Sequence, residues 1–496
     1  MITEPSLLQE QPDLQRSPIV PALTDFAPGI EEAFPSRFEE FDGMVECIAG
    51  KVPDFVRGTY YLNGPARFQA GSVPYRHWLD GDGMVSMLRF GPDGIRFKNR
   101  YVRSTKFVQE RESGQALYRT FGTSFPGSRM NRLNNGLENP VNVSVYRFAD
   151  RLLAFGEQGL PWEIDPETLE TRGQFTFNGR VNDASPMAAH PKFDPETGEM
   201  FNFGVFFSSQ TPRLYFYRFG EDGSLFRKPV PLPYSCSVHD FALSKHHAIF
   251  YLAPYILNIK RFLQEGLTVM DSLSWEPEQG SRLVVLDRGS GEVVASIAAG
   301  NRYCLHLMNS FEQHGRLNVD LLEFDAPIYS QYQPVPDFFT TVPQGRPVRF
   351  VIDQQARQLL ERIAIDGLHA PDFPAINPSH ITQPYDDFWT LGISAAGNCG
   401  RKFFDQLIHA NWSGLRHETY QCSSKRYLGG EPVFVGEPGS RNGVVICQEF
   451  DANDRKSYFL LFDSQNVSTG PVARLILNSQ LYLGFHAVFL PEPSYL

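Results

Sequence analysis

The side chains in this chain whose types and spacing could do chemistry are histidines. Four of the twelve lie among apolar residues, where a surface imidazole would be out of place. His190 sits in Met187-Ala-Ala-His-Pro191 and His239 in Ser237-Val-His-Asp-Phe-Ala-Leu243. His306 sits in Tyr303-Cys-Leu-His-Leu-Met-Asn309 and His486 in Leu483-Gly-Phe-His-Ala-Val-Phe489. Each one alone reads as a hydrogen-bonded core histidine. Together, four neutral imidazoles would suit a borderline divalent metal such as Fe(II). They are 49, 67 and 180 residues apart, so no local finger-like loop can gather them. Only an architecture that brings distant strands to one axis can do so.

Other chemistries lack their motifs. There is no GxxxxGK[ST], HExxH or GxSxG, and the six cysteines form no CxxC pair. Asp80-Gly-Asp-Gly-Met84 lacks the third glycine of a dinucleotide fingerprint and the distal Glu of a calcium loop, so alone it reads as a tight turn. A net charge of −11 excludes a generic basic nucleic-acid surface. No stretch reaches the ~18 apolar residues of a membrane span. Met1 to Gln11 has neither the basic end nor the apolar core of a secretory signal, and the scattered cysteines fit a reducing compartment, so a cytoplasmic location is expected.

The elements that must position the histidines read as strands. Gly and Pro total 78 of 496 residues and aromatics 13%, a composition of many short strands and turns. Met84–Phe90, Gly91-Pro-Asp-Gly94 and Ile95–Val102 read as strand, turn, strand. An apolar residue and an Asp followed by a turn recur at Phe193-Asp-Pro-Glu-Thr-Gly198, Leu286-Asp-Arg-Gly-Ser-Gly291 and Phe219-Gly-Glu-Asp-Gly223, and more loosely from Ile164, Ile352 and Phe462. Uneven recurrence of this kind fits the radial blades of an all-β propeller, with a pair of large β-sandwiches as the competing architecture. Residues 1–35, Pro-rich and acidic, read as an extended N-terminal arm, and 36–496 as one domain. Pro254–Leu263 reads as a helix with Ile256, Ile259 and Leu263 on one face. That face either packs on the core or, with Phe262, forms a patch that dips into a membrane surface.

The four histidine segments also lie within a longer series of motifs. The chain resembles the carotenoid cleavage oxygenases over roughly residues 40–496. The carriers are Gly58-Thr-Tyr-Tyr-Leu-Asn-Gly-Pro65, His77-Trp-Leu-Asp-Gly-Asp-Gly-Met-Val85, Tyr101-Val-Arg103, Leu152-Leu-Ala-Phe-Gly-Glu157, His190-Pro191, Val238-His-Asp-Phe241, His306-Leu-Met-Asn-Ser-Phe-Glu312, Gly430-Glu-Pro-Val-Phe434 and Phe485-His486. The resemblance implies a seven-bladed β-propeller with a helical and loop cap over the active-site face. It implies Fe(II) held by His190, His239, His306 and His486, and cleavage of an alkene C=C by O₂ into two carbonyls. It also implies outer carboxylates that orient the imidazoles, Glu157 for His239 and Glu431 for His486. In His369-Ala-Pro-Asp-Phe-Pro374 the family's usual Glu is replaced by Asp372, one methylene shorter, which would serve His306 through an inward backbone, through a water, or not at all. Val141 stands where many members carry a Thr beside the metal's open position.

The leading functional expectation is a carotenoid or apocarotenoid cleavage dioxygenase with an apolar polyene and O₂ as substrates, a peripheral membrane contact and no obligate protein partner. Cleavage of stilbene-like phenolic alkenes is the second reading, with Tyr75 and Lys106 as the pair that would engage a phenol. An O₂-independent isomerase of the same family is a third. A metal-free propeller acting as a binding scaffold is a fourth.

Overall fold

The computed structural model describes residues 24–130, 137–157, 159–332 and 337–492. It is an all-β, propeller-like fold. Five antiparallel four-stranded sheets follow one another along the chain, four built from consecutive strands and one, Ala242–Leu243 to Val293–Gly300, interrupted by a two-stranded sheet. A sixth sheet has nine strands and joins the two ends of the chain. Its order runs from Arg426–Gly436 through Gly443–Asp451, Lys456–Asp463 and Pro471–Ile476 to Phe41–Gly50, then Gly94–Tyr101, Gly83–Gly91, Gly58–Pro65 and Ala487–Pro491. The first and last parts of the sequence thus close the ring by backbone hydrogen bonds.

The recurring Asp turns are corners of the sheets. At Asp165, Asp194, Asp287 and Asp353 the side-chain oxygen accepts N–H groups two or three residues on. At all four, the N–H of the residue four along bonds back to the Asp carbonyl. That fourth residue has positive φ, as Gly198 (70°) and Gly291 (68°) or, at higher conformational cost, Leu169 (59°) and Arg357 (55°). One corner chemistry with interchangeable fourth residues explains a repeat visible in the sequence but uneven.

Burial falls outward along each sheet. Gly443–Asp451 is buried at every position, whereas the outermost strand Gln358–Ala364 is exposed over most of its length. The inner strands meet at the hub. Ala242–Leu243, Tyr303–Gln313, Asp372–Ile376, Arg426–Gly436, Ala487–Pro491 and Ser144–Phe148 touch in succession, sheet to sheet.

Two expectations are corrected. Residues 24–35 do not extend freely: Ala27, Ile30 and Ala33 are fully buried, Ile30–Ala33 forms a 3₁₀ turn, and Asp25 pairs with Arg401 at 3.0 Å. The apolar residues spaced through this segment give it a face to bury; residues 1–23 of the expected arm lie outside the described residues. Pro254–Leu263 is not one helix. Tyr255–Leu257 is a strand paired with Leu273–Trp275, and a short helix, Ile259–Gln264, starts only after Asn258, whose side chain caps Arg261 N–H at 3.1 Å. Ile256 therefore faces as a strand residue. Phe262 turns inward at 3% exposure, and Leu263 stands out at 49%.

Candidate metal centre

Each of the four histidines stands at or just before the inner strand of its own sheet. His190 precedes Lys192–Phe193, His239 precedes Ala242–Leu243, His306 lies in Tyr303–Gln313, and His486 precedes Ala487–Pro491. Four sheets thus each send one imidazole to the hub. All four are buried, and one ring nitrogen from each lies within 4.8 Å of the others. His190 Nε2 is 2.9 Å from His239 Nε2, which is 3.2 Å from His306 Nε2.

The Nδ1 atoms of His239, His306 and His486 face away from this cluster and meet carboxylates from neighbouring elements. Glu157, after Arg151–Phe155, lies 2.9 Å from His239 Nδ1. Asp372 opens Asp372–Ile376 and lies 2.6 Å from His306 Nδ1. Glu431, in Arg426–Gly436, is 3.3 Å from His486 Nδ1. A carboxylate on Nδ1 keeps the proton there and turns the Nε2 lone pair to the centre. Converging lone pairs in a buried site repel unless a cation lies between them, and this donor set fits a borderline divalent metal.

The charge states agree with ligation. Burial, and then the three neighbouring imidazoles, push His190 well below the ordinary His range. Burial also lowers His486, against the pull of Glu431. At His306 burial, which lowers the ring, is outweighed by the Asp372 carboxylate, and the ring is raised above the ordinary His range.

The shorter Asp372 reaches His306 directly, from a backbone that bulges at this point. The pairing of Asp372–Ile376 with Asp387–Gly392 shifts register between Asp372 and Ala375, and Phe373 takes a φ of +54°. The Phe373 N–H donates to the same carboxylate oxygen at 2.8 Å.

Two buried tyrosines that sequence reasoning missed complete the surroundings. Tyr329 Oη lies 2.7 Å from His239 Nδ1 and 3.4 Å from Glu157, and Tyr332 Oη lies 3.4 Å from Asp372 Oδ2. Both belong to the single turn Tyr329–Tyr332. His77 is not part of the metal cluster; its Nε2 bonds the Tyr329 carbonyl at 2.9 Å and its Nδ1 caps Leu79 N–H. The motif around it is a brace. Asp80 accepts from Gly122 N–H and Thr123 Oγ, which fixes the loop carrying Thr120 and Phe121. Gly83 lies under the Val141 carbonyl so closely that a Cβ would stand 1.9 Å from it. Asn63, from the Gly58–Pro65 motif, donates to the Val141 and Ser144 carbonyls and accepts from Phe485 N–H through its own carbonyl.

Val141 does not stand at the metal. Asn139 Oδ1 accepts its N–H at 2.9 Å and turns it, at a φ of 56°, into an apolar cluster with Tyr61, Val85 and Met87. The neighbour of the ligands is Val143, whose carbonyl accepts the His486 N–H at 3.1 Å. Tyr75 and Lys106 do come together, at 2.6 Å, yet they are buried in a closed ionic cluster. The three ammonium donors of Lys106 are spent on Tyr75, Asp82 and Glu110, and Arg67 pairs with the same two carboxylates.

Two cavities approach the centre. A largely apolar cleft of about 60 Å³ is lined by Leu79, Phe121, Pro140, Phe207, Leu257 and Phe262 among others, and by Glu157 at its metal end. Glu157 Oε2 has no hydrogen-bond partner among the described residues. A second cavity runs along the hub and is bordered by His190, His306 and His486. No helix among the described residues is long and apolar enough to cross a membrane.

The chain is similar to known proteins along nearly its whole length. The model of a family described as retinal pigment epithelial membrane protein matches residues 33–491. Apocarotenoid-15,15'-oxygenase of Synechocystis is 28% identical, over 91% of this chain and 94% of its own. Isoeugenol monooxygenase of Pseudomonas putida is 32% identical, over 91% and 95%. Among solved structures, cobalt-substituted Synechocystis ACO superposes with a TM-score of 0.85 at 25% identity, covering 94% of this chain and 98% of that one. With its histidine hub, its ring of sheets and a family match along nearly its whole length, this chain belongs to the carotenoid cleavage oxygenase family and is an oxygenase.

Proposed function

We propose that this protein is an Fe(II) dioxygenase that cuts a C=C bond of a carotenoid or apocarotenoid with O₂, giving two aldehydes. The carrying observation is a narrow apolar cleft that ends at Glu157, the residue holding His239. When bound, Fe(II) supplies the one-electron chemistry that lets triplet O₂ react with an alkene. The chain's own residues hold and exclude. The four Nε2 atoms bind the cation, and Glu157, Asp372 and Glu431 keep their imidazoles turned toward it. Leu79, Phe121, Leu257 and Phe262 strip water from a slender conjugated chain and align one double bond with the centre. Adding O₂ across C=C to give two carbonyls consumes no proton, so no acid or base is required, in keeping with carboxylates engaged in positioning.

Phenolic alkenes are the second reading, favoured by the 32% identity to an isoeugenol monooxygenase. In this reading the phenol is met elsewhere than at Tyr75 and Lys106, whose hydrogen bonds are already used. The test is anaerobic loading with Fe(II), admission of O₂, and separate assays with β-apo-8′-carotenal, resveratrol and isoeugenol, read by chromatography with mass detection. A shortened apocarotenal supports the first reading and its mass gives the bond cut. Hydroxybenzaldehydes alone move the assignment to phenolic alkenes, and intact substrates in all tubes refute both.

Two finer features belong to the same reading. Phe41–Gly50 lies between two four-stranded halves of the nine-stranded sheet, and reading each half as a blade beside the five four-stranded sheets supports a count of seven. The cap over the cleft also carries a membrane-facing rim on a cytoplasmic protein: Phe206 and Leu263 are 41% and 49% exposed, and their neighbours Phe207 and Phe262 line the cleft. An apolar substrate could then pass from bilayer to cleft without crossing water.

A further inference from the structure

Glu157, Asp372 and Glu431 set how three of the imidazoles are rotated. None of them sets how far apart the strands behind the imidazoles stand. His190, His239 and His306 belong to three separate sheets with no backbone ladder between them. Side chains alone fix the spacing of such strands at a propeller hub.

One buried carboxylate ties all three. Asp240 directly follows His239 and is 3% exposed. Its Oδ2 accepts the N–H of Leu307, the residue after His306, at 2.9 Å. Its Oδ1 lies 2.8 Å from Nζ of Lys192, two residues after His190. The same oxygen accepts the Phe241 N–H at 2.8 Å, which holds the side chain in one rotamer against its own strand. The three ties fall within two residues of three ligands, so a change at Asp240 reaches the metal site through very short lengths of chain. His190 depends on it most, because among the described residues no carboxylate meets its ring. The Lys192 charge makes burial of Asp240 tolerable, as an unpaired carboxylate here would be costly.

We propose that Asp240 is a positioning residue that sets the distances among His190, His239 and His306, with Lys192 as its counter-ion. This rests on the reading that the four histidines hold a metal. The geometry makes Asp240 a clamp across sheets and not a part of any one of them.

Cobalt(II) binding to the full-length apoprotein tests this without turnover. Wild type, Asp240→Asn, Asp240→Ala and Lys192→Met are titrated anaerobically, with the visible d–d absorption recorded and the melting temperature of each apoprotein measured alongside. Asp240→Ala is expected to weaken cobalt binding about 10–100-fold, as for other groups that orient ligands, and to change the band shape. Asp240→Asn keeps the size but has a single acceptor oxygen, and an intermediate loss is expected. Lys192→Met frees only the His190 strand and should lose less than Asp240→Ala. Wild-type affinity and spectrum in Asp240→Asn, whatever happens to its melting temperature, would overturn the proposal; this variant decides the matter if Asp240→Ala does not fold. Wild-type protein that takes up no cobalt would instead refute the metal reading, and the proposal with it.

Discussion

Replacing Asp372 measures how closely the hub is fitted to a shorter carboxylate. Its Oδ1 lies 2.6 Å from His306 Nδ1 and also accepts Phe373 N–H, while Oδ2 faces Tyr332 Oη at 3.4 Å. Asp372→Ala leaves the His306 N–H, a backbone N–H and a tyrosine hydroxyl without this acceptor in a buried site. Loss of a group that orients a metal ligand typically costs 10–100-fold in affinity, about 1.4–2.7 kcal/mol. Asp372→Asn keeps the volume and one acceptor oxygen, so it should lose less, on the order of 10-fold or below. Asp372→Glu restores the side-chain length usual in the family but meets a backbone that bulges here, with the register shift and the positive φ of Phe373. In so buried a position the extra methylene should overpack the hub, at a cost of about 1–3 kcal/mol of stability. The assay is competition for Fe(II) against a chromophoric chelator under argon, with thermal unfolding of each apoprotein in parallel. If Asp372→Ala binds within twofold of wild type, the orienting role fails. If Asp372→Glu binds and melts like wild type, the close fit of the hub to the shorter residue is refuted.

Three further outcomes are expected. His239→Ala and His306→Ala should each abolish the gain in melting temperature that metal gives wild type, a gain worth about 2.7 kcal/mol at a free metal concentration 100 times the dissociation constant; an undiminished gain would place the metal elsewhere. Tyr329→Phe removes the hydroxyl shared by His239 and Glu157 and should weaken metal binding about fivefold, the worth of roughly 1 kcal/mol for a net hydrogen bond, as read by the same chelator competition. Leu263→Asp should reduce flotation with liposomes while leaving the melting temperature within about 1 °C, whereas Phe262→Ala, at a buried position, should cost about 3–5 kcal/mol of stability in a denaturant titration.

The histidines were legible because each stands in an apolar run that a solvated residue would not choose, and because separations of 49 and 67 residues leave only a convergent architecture. The Asp corners were legible for a similar reason, since the turn needs that side chain at that place. What the sequence hid depends on spatial neighbours. Tyr329 and Tyr332 lie in a single turn with no pattern of its own, and only folding sets them against Glu157 and Asp372. The difference between Val141 and Val143 is two residues in a loop whose direction is set by Asn63 and Asn139, side chains from elsewhere in the chain or turn. Which way Phe262 faces is hidden because Pro254–Leu263 reads as one helix in sequence, whereas it is a strand, Tyr255–Leu257, followed by a short helix that Asn258 caps. Tyr75 and Lys106 share a stretch of sequence with many polar residues, and nothing short of the fold reveals that Asp82 and Glu110, themselves paired with Arg67, consume their hydrogen bonds.

The arrangement also explains why one site can be both rigid and assembled from the whole chain. Every ligand and two of the three orienting carboxylates stand on or beside an inner strand, and inner strands of adjacent sheets touch around the hub. His190, His239 and His486 end their connecting segments one to three residues before an inner strand and His306 lies within one, so the cost of holding four mutually repelling lone pairs within 4.8 Å is carried by the ring as a whole. The ring is closed by the nine-stranded sheet, in which Gly58–Pro65 pairs with Ala487–Pro491, directly behind His486. The Asn63 N–H also bonds the His486 carbonyl at 3.1 Å. Closure of the propeller and placement of the last ligand are therefore one structural event, and the fourth imidazole reaches the hub only when the two ends of the chain have met.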